Sequence, residues 1–425
     1  MRSKKMNIFH GIDWVLVLLY LILIFIGWLN IYSTTFIEDD TALINLSTEY
    51  GKQLIWIGLS FPLIIFILLI DAKLYEKYAS IIYVVSLFFL AGLFILGKNI
   101  NGATSWYDFG GFSLQPSEFA KAATALAIAK LVSDKLFNLK KFNTQLQAFV
   151  ILFLPAVLIT LQPDPGSALV YTAFIFVLYR EGLPVYYITV GFIAAFLFVI
   201  TLYFGFLYTW LGSLLVFALI LMYFIFYRKK AFKNGWIKIV GIYLVAALFI
   251  FSVDLVFNHV FEQRHRDRFN IVLGKTADTK NIGYNTNQAI TTIASGGFTG
   301  KGFLDGERTQ GDFVPENQTD YIFTIVGEEW GFLGSTIVIV IFTFFFLRII
   351  QIAERQKSKF ARVYGHSIAA IFFMHFTINI GMVIGLLPTI GIPLPFFSYG
   401  GSALWGFTVL LFIFIRLDAN RSYEW

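Results

Sequence analysis

The chain has no cysteine among its 425 residues. That excludes a disulfide framework, a thiolate metal site and a thiol nucleophile. Charge is scarce as well: Asp, Glu, Lys and Arg together make up 14%, against about 25% in a soluble globular protein. With 58% hydrophobic residues and a mean hydropathy of +0.74, a soluble fold is excluded and a polytopic membrane protein is indicated. No repeat of fixed period and no low-complexity stretch occurs. Nor are there matched pairs of Gly/Pro-broken helices in two halves, the mark of many transporters. The formal net charge of +6 does not imply nucleic acid. In a membrane protein it reflects basic loops retained on the inner side.

What is present is apolar length. A bilayer core needs roughly 20 apolar residues per helix. Twelve stretches qualify, near 13–33, 52–70, 78–97, 116–132, 144–162, 166–180, 185–204, 208–227, 236–256, 320–349, 364–388 and 401–416. The basic start MRSKKMNIFHGIDW leads into an apolar run too long for a signal peptide, with no small-residue cleavage site, so it reads as a first span whose N-terminus is cytoplasmic. Residue 1 inside puts DAKLYEK, SDKLFNLKKFN, YRKKAFKNG and RIIQIAERQKSKFARVYGH inside, and the acidic TTFIEDD outside. The alternation predicts an even number of spans with both termini cytoplasmic. The expectation is an all-α polytopic helical bundle of about 12 transmembrane helices, a single integral domain over residues 1–425.

The long polar segment at about 258–319 then faces outward, and it is where chemistry is expected, because scaffolded loops carry function. Its many charges each read first as solvated loop residues. Gly296, Gly297, Gly300 and Gly302 in SGGFTGKG suit either a tight turn or an anion-binding concavity of backbone N–H groups; no Walker loop is present. Thr319 and Asp320 fit a helix cap as well as a substrate contact. Glu328 and Glu329 fall inside the predicted 320–349 span, where acidic residues are costly and functional by default. Within the membrane, Glu118 and Lys121 share a helix face at i, i+3. They form either a self-neutralising pair or the wall of a polar cavity. Asp164, between two prolines, reads as an outer turn. His259 and His265 match no metal-ligand spacing. A divalent ion held by carboxylates and a substrate pyrophosphate would leave no spacing signal.

Four blocks carry a resemblance: NGATSWYDFGGFSLQPSEFAKAA (101–123), LQPDPGSALVY (161–171), the run from NIGYNTNQAITTIASGGFTGKGF through FVPENQTDYIFTIVGEEWGF (281–332), and NIGMVIGLLPTIGIPLPFFSYGGSAL (379–404). They resemble the SEDS family (shape, elongation, division and sporulation), with wording nearer its elongation members. The resemblance implies a ten-helix family core, so that the pair at about 185–230 is extra. It implies a peptidoglycan glycosyltransferase that polymerises lipid II into glycan strands at the outer face of the cytoplasmic membrane, for cell elongation and rod shape. It maps the family's essential aspartate to Asp278, its paired helix-four acid and base to Glu118 and Lys121 and its loop tryptophan to Trp106, with Lys52 in place of a usual Arg; the further candidate substrate contacts are Gln288, Ser295, Gly296, Gly297, Lys301, Glu316, Thr319 and Asp320. Its implied partners are lipid II, the growing glycan, a class B penicillin-binding protein and other elongation-complex membrane proteins, with no nucleic acid. A divalent cation, Mg or Mn, is the cofactor to test. The chain departs from the family pattern at Thr279 (usually Pro), Ser105 (usually Arg), Lys52 (usually Arg) and Gln318 (usually His). Two other functions fit many spans and a polar cavity: a lipid II flippase and a non-enzymatic scaffold of the wall-synthesis complex.

Overall fold

The structure, a computed structural model, describes residues 11–35, 48–100, 102–110, 112–261, 263–275, 282–311 and 313–421. Helices dominate, because a chain in hydrocarbon must satisfy each N–H and C=O within its own segment. In order they are α1 (Trp14–Thr35), α2 (Glu49–Leu69) and α3 (Ala72–Leu96), then three short strands β1 (Lys98–Ile100), β2 (Ala103–Asp108) and β3 (Ser113–Leu114). There follow α4 (Pro116–Ser133), α5 (Phe142–Thr160), α6 (Pro165–Val170), α7 (Ala173–Arg180), α8 (Tyr186–Phe204), α9 (Phe206–Tyr227) and α10 (Lys229–Leu255) with a π-helical turn Val256–Val260. The rest are α11 (Gln263–Val272), α12 (Ile282–Ser295), α13 (Glu307–Gln310), α14 (Phe323–Glu329), α15 (Gly331–Glu354), α16 (Lys359–Val383) and α17 (Gly401–Asn420).

Among the described residues ten helices are long and apolar enough to cross a membrane: α1, α2, α3, α5, α8, α9, Gly235–His259, α15, α16 and α17. The protein is an all-α, multi-pass membrane protein. The stretch expected near 116–132 is α4, an alanine-rich helix of 18 residues. The one near 166–180 is divided into α6 and α7. The stretch read as one span from 320 to 349 is also divided, between α14 and α15, at Gly331 with φ +65°. The polar segment 258–319 holds helices α11, α12 and α13.

Two compact units make up the chain, one of residues 1–184 with 285–425, the other of residues 185–284. In the first, α4 lies at the centre, packed on α3, α5, α16 and α17. Its small side chains permit close approach. At Gly406 of α17 an added Cβ would meet the Cβ of Glu118 at 2.8 Å. An aromatic core of Phe342, Phe345, Phe372, Phe396 and Phe407 fills the space between α15, α16 and α17. One end of this unit is tied by ion pairs: Asp13 with Arg348 at 2.6 Å and with Arg355 at 3.2 Å, Arg362 with Glu181 at 3.4 Å, and Arg355 with Asp418 at 2.5 Å. The opposite end carries β1–β2–β3, an antiparallel sheet pairing Lys98 with Trp106 and Tyr107 with Leu114. Ser402 Oγ donates to Ser113 O at 2.8 Å and fixes that sheet to the start of α17.

In the second unit α8 and α9 meet at Gly205, whose φ is +83°. These two helices occupy the pair expected at about 185–230. Leu202, Val253 and Phe257 form its small core, with Phe198, Phe249, Phe261 and Phe269 around them. Phe192, Phe196, Leu215 and Leu219 are exposed, as suits helices whose solvent is lipid.

Candidate active site

Asp278 and its neighbour Thr279 lie outside the described residues. The remaining sequence-selected residues fall into three groups at or below the sheet-bearing end.

The first is the helix-four pair. Lys121 Nζ donates to both carboxylate oxygens of Glu118, each at 2.8 Å, and both side chains are buried. Two charges in so dry a place persist only with full pairing. The third lysine N–H meets Nε2 of His375 on α16, also at 2.8 Å. Above the pair, Gln115 Nε2 donates to Asp164 Oδ2 at 3.0 Å, and Ser167 N donates to Asp164 Oδ1 at 3.0 Å. Asp164 is therefore the N-cap of α6 and the latch on the start of α4, more than the plain turn its flanking prolines suggest.

The second group surrounds Glu328. Its carboxylate accepts from Lys301 Nζ at 2.8 Å, Ser295 Oγ at 3.3 Å, and the N–H groups of Arg308 and Thr309 at 3.1 and 2.8 Å. Burial pushes this carboxyl up, but the bonds from Lys301 and Thr309 outweigh it and hold it below the usual range. Lys301 is raised, chiefly by its bond to Glu328. Gln288 Oε1 accepts from Arg308 Nη2, and Thr292 Oγ1 accepts from Arg308 Nε at 3.0 Å. The glycine turn here is structural. Gly300 N donates to Gly296 O at 2.9 Å, Lys301 N to Glu328 O at 3.0 Å and Gly302 N to Glu329 O at 3.0 Å. The amide of Gly297 donates to Ala294 O at 3.4 Å. These amides are spent within the fold, so they form no free anion concavity. A Cβ at Gly296 would lie 2.0 Å from Gly327 O, and one at Gly300 2.1 Å from Glu329 O. Backbone touches backbone, and this contact divides α14 from α15.

Glu329, beyond the end of any long apolar helix, accepts from Ser33 of α1, while its Oε2 has no partner. Burial, over the bonds from Ser33 and the Leu304 backbone, pushes its carboxyl up to about 7.

The third group follows α13. Thr319 Oγ1 donates to Glu316 Oε2 at 3.1 Å, and Glu316 has a φ of +59°. Asp320 O accepts from Asn379 Nδ2 at 2.8 Å, and the same amide reaches Ile392 O at 2.7 Å. Gln318 Nε2 donates to Glu49 Oε1 at 3.1 Å, which brings the segment to the first turn of α2, where Lys52 is exposed. Trp106 sits half-buried in β2. Among the described residues no group of three or more His, Asp or Glu side chains is placed to hold a metal ion.

Reading the sequence alone passed over His375 and Asn379. They stand four residues apart in the mostly apolar second half of α16, so they share one face, and polar groups at membrane depth are the signal that singles them out.

Residues 13–210 and 192–423 match the FtsW/RodA/SpoVE family, described as "Cell cycle protein". Peptidoglycan glycosyltransferase RodA of Treponema pallidum (strain Nichols) is 31% identical over 435 residues, covering 96% of this chain and 98% of the relative. Peptidoglycan glycosyltransferase MrdB of Escherichia coli (strain K12) is 31% identical over 337 residues, covering 79% of this chain and 76% of the relative. Among solved structures, a chain from "Structural coordination of polymerization and crosslinking by a peptidoglycan synthase complex" shares the fold with a TM-score of 0.69 at 24% identity, covering 97% of this chain and 99% of that one. RodA of Thermus thermophilus does so with a TM-score of 0.63 at 21% identity, covering 96% and 97%. With family matches that together span nearly its whole length, this chain belongs to the FtsW/RodA/SpoVE, or SEDS, family.

Proposed function

We propose that this protein is a peptidoglycan glycosyltransferase that polymerises lipid II into glycan strands, for cell elongation. The observation that carries the reading is full-length similarity to a relative named peptidoglycan glycosyltransferase RodA. In the reaction a sugar hydroxyl of the acceptor attacks the anomeric carbon of the donor. The new C–O bond forms as the bond to the lipid pyrophosphate breaks, and undecaprenyl diphosphate leaves. Asp278 takes the hydroxyl proton as general base, a role typically worth ~10²–10⁴-fold. Lys301 and Arg308, by their position in the outer segment, are candidate cations for the leaving diphosphate. Glu118 and Lys121 form the polar floor under the lipid-linked substrate. The described side chains supply no three-ligand metal site. A divalent cation, Mg or Mn, would therefore bind with the substrate diphosphate as co-ligand and neutralise its charge.

The protein sits in the cytoplasmic membrane with both termini cytoplasmic, and the residues of 258–319 face outward. Its partner is a class B penicillin-binding protein that cross-links the product. A solved relative of the same fold comes from a peptidoglycan synthase complex, which supports that pairing.

The test is polymer formation from purified lipid II, with Mg²⁺, with Mn²⁺ and with chelator. Asp278→Asn should lower the rate at least ~100-fold while thermal unfolding stays unchanged. Full polymerisation by a folded Asp278→Asn protein would remove Asp278 from the role. Vesicle transport of labelled lipid without polymer by the wild type would favour the flippase.

A further inference from the structure

His375 lies on α16, fully buried, between the helix-four ion pair and the segment that joins α16 to α17. Its two ring nitrogens have different partners. Nδ1 is 3.2 Å from Pro393 O. A carbonyl oxygen only accepts, so Nδ1 carries the hydrogen. Nε2 is 2.8 Å from Lys121 Nζ. A second proton on the ring would aim an N–H at an ammonium, with no acceptor between them. With the ring hydrogen on Nδ1, Nε2 is a lone pair, and Lys121, whose Nζ has only hydrogens to give, is its donor. The three lysine N–H groups then have three acceptors, Glu118 Oε1, Glu118 Oε2 and His375 Nε2, each at 2.8 Å. The Phe407 ring closes the cage 5.1 Å from Nζ.

The other side of the ring matters equally. Pro393 belongs to the 384–400 segment. One turn further along α16, Asn379 Nδ2 donates to Ile392 O at 2.7 Å and to Asp320 O at 2.8 Å. Gly391, with φ +75°, puts its backbone against Asp320 Oδ2, where a Cβ would lie at 3.1 Å. Two side chains of one helix face thus fasten one segment, and that segment touches Asp320. A chain of contacts runs from Glu118 through Lys121, His375, Pro393, Ile392 and Asn379 to Asp320.

We propose that His375 is a positioning residue: as a neutral Nδ1–H imidazole it fixes the third bond of Lys121 and locks the Glu118–Lys121 pair to the 384–400 segment beside Asp320. Its importance for catalysis rests on the glycosyltransferase reading; the contact itself does not.

Two measurements decide it. The first compares three substitutions by polymerisation of purified lipid II, as kcat and KM. His375→Gln places an amide where Nε2 stood and keeps an acceptor for Lys121. His375→Asn places its amide where Nδ1 stood and keeps only the bond to Pro393. His375→Phe keeps neither. Gln should hold kcat/KM within about threefold of the wild type, with its unfolding midpoint within a few degrees, and Asn and Phe should lose tenfold or more. A histidine that merely filled space would rank Phe at least as active as Gln, and that order overturns the proposal. The second needs no activity. In thermal unfolding, His375→Phe should lower the midpoint clearly in the wild-type background and by less than half as much beside Lys121→Met, because the lost acceptor then has no donor to leave bare. Equal shifts in the two backgrounds overturn it. Wild-type protein that makes no polymer would refute the glycosyltransferase reading and leave this second measurement to judge His375.

Discussion

At the scale of single residues, the acidic positions of the site differ because their surroundings differ. Glu328 has four partners, and Glu329, next to it, leaves one oxygen without any. The carboxyl of Glu329 is raised to about 7. A raised acid favours the protonated folded state, so its contribution is full below the ordinary carboxylate value and is lost as pH climbs through about 7. Glu329→Gln should accordingly raise the unfolding midpoint more at pH 8 than at pH 5; an equal shift at both would refute the assignment. Any fixed cost of the new amide cancels in that comparison. Glu328 behaves oppositely, adding stability above its unfolded value that is lost in acid. The buried pair on α4 gives a second prediction. Lys121→Met alone should cost about 3–5 kcal/mol by leaving Glu118 uncompensated, and Glu118→Gln with Lys121→Met much less. Denaturation of the single and double variants in detergent measures both.

At the scale of elements, the glycine turn between α12 and α13 acts as a mould for the start of α15. Backbone contacts near 2 Å from a notional Cβ leave no room for a side chain at Gly296 or Gly300. Gly300 also has a φ of +84°. Gly300→Ala should therefore cost about 3 kcal/mol or more, since overpacking alone costs typically 1–3 kcal/mol and strain adds to it. Gly110→Ala is the control: its φ is +79°, yet nothing lies within 4 Å of the added Cβ. It should show the conformational cost alone, about 1 kcal/mol. Equal losses at the two sites would mean that the close packing carries no weight.

At the scale of the whole molecule, the absence of cysteine makes topology directly measurable. A single cysteine reacts with an impermeant maleimide only from the side it faces. Glu307→Cys, whose parent side chain is 86% exposed, should be labelled from outside intact spheroplasts. Leu136→Cys, at an 89% exposed position between α4 and α5, should be labelled only after the membrane is opened. Labelling of Leu136→Cys in intact spheroplasts would invert the proposed orientation. The ion-paired end, which holds Asp13, Arg348, Arg355 and Asp418, would then lie on the side that a basic inner surface does not expect.

What the sequence determined by itself was the class of molecule and the places where helices run, because a bilayer imposes apolar length on any chain that crosses it. The long resembling blocks also indicate the family. The pair Glu118 and Lys121 could be read from i, i+3 spacing. Tertiary structure decided the rest, for a physical reason: hydrogen bonds between distant segments leave no trace in local spacing. No periodicity shows that the amides of Lys301 and Gly302 in SGGFTGKG are spent on the Glu328 and Glu329 backbone, or that one apparent span is cut at Gly331. Sequence also left Lys121 with a single partner. Only packing α16 against α4 supplied His375, 254 residues away, as the acceptor of its last proton.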